Sequence, residues 1–84
     1  MEKELSYGER LIGISAKSSG NEKVDKANKL FAEAADLLKS HILEKREKEG
    51  VDIITADLFG HAICEILNAQ LCTVKVLTFS DTEQ

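Results

Sequence analysis

The chain contains no proline, so nothing along it forces a helix to break by removing a backbone donor, and glycine is left as the main punctuation. Cysteine is scarce as well. Cys64 and Cys72 lie in a segment that reads as helical, roughly 12 Å apart along the axis at ~1.5 Å per residue, too far to bond to each other. Both are expected to be small buried hydrophobes of a reducing compartment. There is no CxxC, no HExxH and no paired ligand spacing around His41 or His61, so neither a metal nor another cofactor is implied. Positive charge is in deficit: a net charge of −4 and a pI near 5.1 argue against binding duplex nucleic acid, which needs a continuous basic face. An uninterrupted apolar run of the ~18 or more residues of a membrane span is missing, as are a secretory leader, a glycine-rich phosphate loop, an internal repeat and a low-complexity tract. These absences lead to the expectation of a cytoplasmic protein that does not meet a membrane.

What the chain does have is apolar surface in the wrong amount. The segment from Asp52 to Phe79 carries Ile63, Ile66, Leu67, Leu71, Cys72, Val74, Val76, Leu77 and Phe79. An amphipathic helix keeps its apolar residues within a stripe a little over ~100° wide, and these cannot all face one partner helix. At 84 residues there is room for a single domain whose lone core is marginal. The expected cover for the surplus is another copy of the chain. The fold class that follows is all-α: a short N-terminal helix or arm, then a long antiparallel helical hairpin, assembled as a homo-oligomer.

The glycines divide the chain. Residues 1–20 form an arm and loop, interrupted by Gly8 and Gly13, with Ser18-Ser19-Gly20-Asn21 as turn chemistry. Residues 21–50 form the long helix: Asn21 is a good N-cap, Glu22 a favourable first-turn acid and Gly50 a natural residue just past the C-terminus. Its expected buried stripe is Val24, Ala27, Phe31, Ala34 and Leu38, widened by Leu30, Leu37 and Ile42. Residues 51–79 form the return helix, capped by Asp52 or Thr55, although Thr73-Val74-Lys75-Val76 alternates like a strand. Residues 80–84 are a polar tail.

Several side chains could carry chemistry, and each has a plainer reading. Lys23, Lys26 and Lys29 recur every third residue beside a helix N-terminus, whose free amides favour anions. The same lysines also make i,i+4 pairs on a solvated face, Glu22 with Lys26 and Asp25 with Lys29. Tyr7, the only tyrosine, sits beside Gly8 in the arm, placed either to stack on a base or to pack as a staple. Arg10 offers a phosphate contact or a surface ion pair. His61 and Glu65 share a face at i,i+4, but no nucleophile or metal ligand completes an acid-base set, so an enzyme is not expected. Asn68, Gln70, Thr73 and Lys75 interrupt the apolar helix, either to fix oligomer register or to line a cavity between subunits.

Tyr7-Gly8-Glu9-Arg10, Ser18-Ser19-Gly20-Asn21 with Val24 following, Lys29-Leu30-Phe31-Ala32-Glu33-Ala34-Ala35-Asp36-Leu37-Leu38 and the closing stretch from Ala69 to Thr78 together resemble the small phage anti-CBASS sponge proteins. These share a helical-hairpin domain with one class of anti-Thoeris sponges. The resemblance implies an assembly, typically a hexamer, that sequesters cyclic nucleotide second messengers such as cGAMP without altering them, so depriving a bacterial immune effector of its signal. It implies that Tyr7 stacks on a base and that Lys26, with Lys23 as competitor, meets phosphate. The pocket would be built from the arm and the first turns of the long helix, bringing in Gly8, Arg10, Gly20 and Asn21. Where some members carry an Arg-Thr pair for cyclic trinucleotides, this chain has Ile63-Cys64, which cannot donate to phosphate as that pair does. Related hairpins use cations near the end of the return helix for ligands of the cyclic ADP-ribose type, which brings in Lys75. The alternative function is a structural or adaptor module, its apolar C-terminal helix binding a different protein.

Overall fold

The computed structural model describes residues 4–13 and 20–79. Three helices follow one another: α1 (Tyr7–Ile12), α2 (Glu22–Lys48) and α3 (Ile53–Thr78). No strand occurs among the described residues, and the alternating stretch Thr73 to Val76 is helical, continuous with the rest of α3. Ile14, Ser18, Ser19 and the polar tail lie outside the described residues. No described helix is long and apolar enough to cross a membrane.

Local chemistry sets nearly every helix end. Asn21 caps α2, its side-chain oxygen accepting from the N–H groups of Lys23 at 2.9 Å and Val24 at 3.1 Å. These are two of the donors that a helix start leaves without an intrahelical partner. At the other end Gly50 takes φ +83°, and its N–H donates to the Lys45 carbonyl at 3.0 Å. An L side chain rarely adopts that backbone conformation. Asp52, not Thr55, caps α3 by accepting from the Thr55 N–H at 2.8 Å. The hydrogen bonds from Thr55 hold the Asp52 carboxyl below its ordinary value of 3.8, with the Lys45 charge adding to the effect.

Helix α1 is too short to stand alone, since isolated helices under ~12 residues are marginal, and two devices hold it. Ser6 and Glu9 form a reciprocal capping box, with the Ser6 N–H donating to Glu9 Oε1 at 2.8 Å and the Glu9 N–H donating to Ser6 Oγ at 3.1 Å. Asp36 of α2 then reaches across and accepts from Ser6 Oγ at 2.7 Å and from the Gly8 N–H at 2.6 Å. The approach is so close that a Cβ on Gly8 would collide with the Ala32 carbonyl oxygen and lie 3.0 Å from Asp36 Cγ. Glycine at position 8 is therefore a packing requirement.

The docking of α1 also moves the buried arc of α2. Val24, Ala32 and Ala35 are buried, whereas Ala34, Leu30 and Leu37, expected inside, are exposed, Leu37 at 71%. The stripe expected from spacing alone thus sits too far round the helix. Ala32 lies where Gly8 of α1 approaches, and the bulkier Leu30 and Leu37 lie on the open flank. Between α2 and α3 the buried Gln70 donates from Nε2 to Asn28 Oδ1 at 2.9 Å. This pairs the first third of one long helix with the last third of the other and makes the chain hairpin-like.

The result is thin and open. The molecule measures 53 × 37 × 12 Å with a radius of gyration of 15.5 Å, against about 12 Å for a compact domain of this length. Helices pack 8–10 Å apart, so a thickness of 12 Å leaves no room for a third layer. The buried apolar residues are Ile12, Val24, Ala32, Ala35 and Ile63. Cys64 and Cys72 were expected within a core and are exposed instead, because α2 covers only one arc of α3.

Replacing Asp36 with Ala should free α1, since hydrogen bonds to a charged group contribute ~1.5–3 kcal/mol each. Gly8→Ala should displace the same helix at a cost of about 1–3 kcal/mol. Amide exchange at residues 7–12 would rise in both variants while that of mid-α3 stays protected; unchanged protection of α1 would refute the anchoring role. The Asp52 cap has a defined pH dependence. A carboxyl depressed on folding stabilises fully above its unfolded value near 3.8 and loses that contribution as pH falls through the folded one. The Tm advantage of the native protein over Asp52→Asn should accordingly shrink on acidification below pH ~4, and a constant difference would count against it.

Candidate functional site

The site predicted from the sequence is distributed over two regions of the chain. Around α1, the half-buried Tyr7 ring is covered by the Lys39 ammonium, 4.8 Å from the ring centroid. A cation over an aromatic face at this distance is attracted by the ring quadrupole, worth about 0.5–1 kcal/mol where water has access. Gly8 is buried, and its N–H already donates to Asp36. Arg10 is exposed in the last turn of α1, where its charge suits the helix C-terminus.

Toward the beginning of α2, Asn21 is the N-cap and Gly20 precedes it with φ +88°, while Lys23 and Lys26 are exposed. Lys75 is exposed near the end of α3. Lys23, Lys26 and Lys29 lie in the first turns of α2, whereas Lys39, Lys45 and Lys48 lie toward its C-terminal end.

Both regions lie along α2: Tyr7 sits under Lys39 and Gly8 against Ala32, while Lys29 lines the groove beside α1. Tyr7 is fixed at the level of Lys39, and Lys26 precedes Lys39 on the same helix by roughly 20 Å at ~1.5 Å per residue. Lys39 is the residue that the sequence did not single out. Its only linear signal is the i,i+3 relation to Asp36, and that acquires meaning only once Asp36 is seen to anchor α1.

Surface depressions occur among the described residues. One, of about 460 Å³, lies in the groove between α1 and α2 and is lined by Glu4, Glu9, Glu33 and Asp36 with Lys29 as the cation. Its carboxylates disfavour an anionic ligand at that spot. Another, of about 350 Å³, lies at the connection between the long helices and is lined by Lys45, Glu49, Gly50, Val51 and Asp52. Of the three lysines at the start of α2, Lys29 lines the first depression, while Tyr7, Gly8, Arg10, Gly20, Asn21, Lys23, Lys26 and Lys75 line neither.

The His61–Glu65 pair forms as the spacing suggests, with 3.4 Å between Nε2 and Oε2, and its side chains are 74% and 61% exposed. It lies on open surface with no enclosing wall, so nothing there excludes water or orients a substrate. Among the described residues, no group of three or more His, Cys, Asp or Glu side chains could hold a metal ion. Comparison with protein-family models, with curated proteins and with solved structures finds no match to this chain.

Proposed function

We propose that this protein is a non-enzymatic sponge: a homo-oligomer of antiparallel helical hairpins, of hexamer size, that encloses cyclic dinucleotides such as cGAMP between protomers and releases them unaltered. In this reading it is a phage anti-defence protein, acting in the host cytoplasm to deprive CBASS-type immunity of its messenger. The observation that carries the proposal is a large uncovered apolar surface on a chain that also presents an aromatic ring under a cation and a set of exposed lysines. Tyr7 lies under Lys39, Lys23, Lys26 and Lys75 are exposed, and among the described residues ten large hydrophobic side chains are exposed, from Leu5 at 38% to Ile53 at 79%. Association of copies would hide the apolar surface. It would also let the arm of one protomer face the lysines of another.

A doubly charged cyclic ligand needs just this combination. Flat walls accept its bases, and a few cations meet its phosphates without making the whole surface basic. Lys39 joins Lys23 and Lys26 as a phosphate candidate, because it already stands over the ring that would stack on a base. The departure at Ile63-Cys64 favours dinucleotides over trinucleotides.

The adaptor reading keeps one observation in its favour: the groove beside α1 is lined mainly by carboxylates, which suits a basic protein surface better than a nucleotide. One experiment separates the readings. The purified protein is mixed with cyclic GMP–AMP, binding is measured by calorimetry, and the complex is denatured and its ligand analysed by chromatography. Intact ligand supports the sponge, cleaved ligand an enzyme, and absence of binding the adaptor. Tyr7→Ala and Lys26→Ala should each weaken binding by roughly tenfold or more, since stacking on an aromatic side chain contributes ~1–3 kcal/mol per base. The oligomer should persist in both variants, and full affinity in both would move the pocket elsewhere.

A further inference from the structure

Helix α3 carries two apolar rows. One, through Ile63 and Gln70, is buried against α2. The other runs through Ile54, Leu58, Cys72, Val76 and Phe79, with His61, Glu65 and Ala69 between, in steps of three and four residues. At 100° per residue it lies about 150° around the helix from the first row. Every member is exposed: Ile54 at 70%, Leu58 at 65%, Val76 at 75% and Phe79 at 60%, with Cys72, His61, Glu65 and Ala69 exposed as well. Steps of three and four sustained along a helix are the pattern of a helix–helix seam.

We propose that this second row is the contact between two copies of the chain, with their α3 helices running in opposite directions about a two-fold axis near residues 66 and 67. The proposal deepens the assembly half of the sponge reading and does not depend on the ligand.

Three observations select a second copy as the occupant. The first is area. The chain exposes 6817 Å², more than a third above the about 5,000 Å² of a compact monomer of this mass. The excess is more than the ~800 Å² that each partner hides in an interface of standard size.

The second is self-complementarity, which a two-fold interface requires because the same patch serves both sides. Reversing the row sets Ile54 against Phe79, Leu58 against Val76, His61 against Cys72 and Glu65 against Ala69, all with one centre. Each end of the seam then meets large apolar side chains.

The third is charge. A parallel arrangement in register would place Glu65 directly opposite Glu65, and like charges so placed are destabilising. The reversed arrangement gives each Glu65 an alanine as its neighbour across the seam and leaves it paired with its own His61 at 3.4 Å. A polar step of this kind within an apolar row disfavours slipped registers.

Cross-linking tests both the face and the direction. In a background of Cys64→Ala and Cys72→Ser, the variants Leu58→Cys and Val76→Cys are made separately, then unfolded together and refolded as a mixture under mild oxidation, without ligand. The expected product is a disulfide dimer containing one of each, formed only in the mixture. Disulfide dimers formed by each variant alone would mean a parallel seam, and no cross-link in any sample would mean a different interface; either result overturns the proposal. As a second measurement, Leu58→Glu combined with Val76→Glu should lower the particle mass by at least half by light scattering while the helical circular dichroism is retained, since both side chains are exposed in the single chain. An unchanged mass overturns the proposal even if cyclic GMP–AMP still binds. A confirmed seam without nucleotide binding would leave it standing and remove only the sponge.

Discussion

Shortage of buried apolar surface within one chain is the constraint from which the rest follows. Two long helices and a six-residue helix enclose Ile12, Val24, Ala32, Ala35 and Ile63, and two of those five are alanines, which bring little area out of water. A domain of this size is marginal even when compact, and folding free energies are small differences between large terms. The far side of α3 and the leucine flank of α2 therefore matter as much as the core. They are the largest reserve of apolar area available for stabilising the fold.

Against that weak core, α1 is held by polar chemistry. Asp36 accepts from both Ser6 and Gly8, while the Ser6–Glu9 box closes the remaining start of the helix. This anchor fixes Tyr7 at the level of Lys39, and so an aromatic ring that the sequence places in an arm acquires a defined neighbour. The same anchor gathers carboxylates beside α1, with Lys29 and Lys39 as the cations next to them.

Much of the fold was legible because its signals are local. Asn21, Asp52 and Gly50 act through atoms within a few residues of themselves, so the limits of α2 and α3 could be read almost to the residue. The surplus on α3 was legible too, since it depends only on spacing around a helix. The interior was less so. Ala32 is buried and Ala34 exposed because α1 docks on one flank of α2, and periodicity does not record which flank receives a neighbour. Cys64 and Cys72 followed the usual tendency of cysteine toward burial, which fails where there is no layer to bury them. Of the candidate site, Tyr7 and the early lysines are sequence expectations, and the one contact around them that the structure adds, Lys39 over Tyr7, has no local signal.

The amino-acid sequence alone determined that the chain is helical, where its long helices begin and end, and that one of them has more apolar surface than a hairpin partner can cover; caps, glycines and periodicity act over a turn or two and need no distant contact. The tertiary structure decided the rest. The Asp36 anchor, the Asn28–Gln70 hydrogen bond and the Lys39 ammonium over Tyr7 each join residues 28 to 42 positions apart. Contacts of that range depend on how three helices lie against one another, which no local pattern specifies.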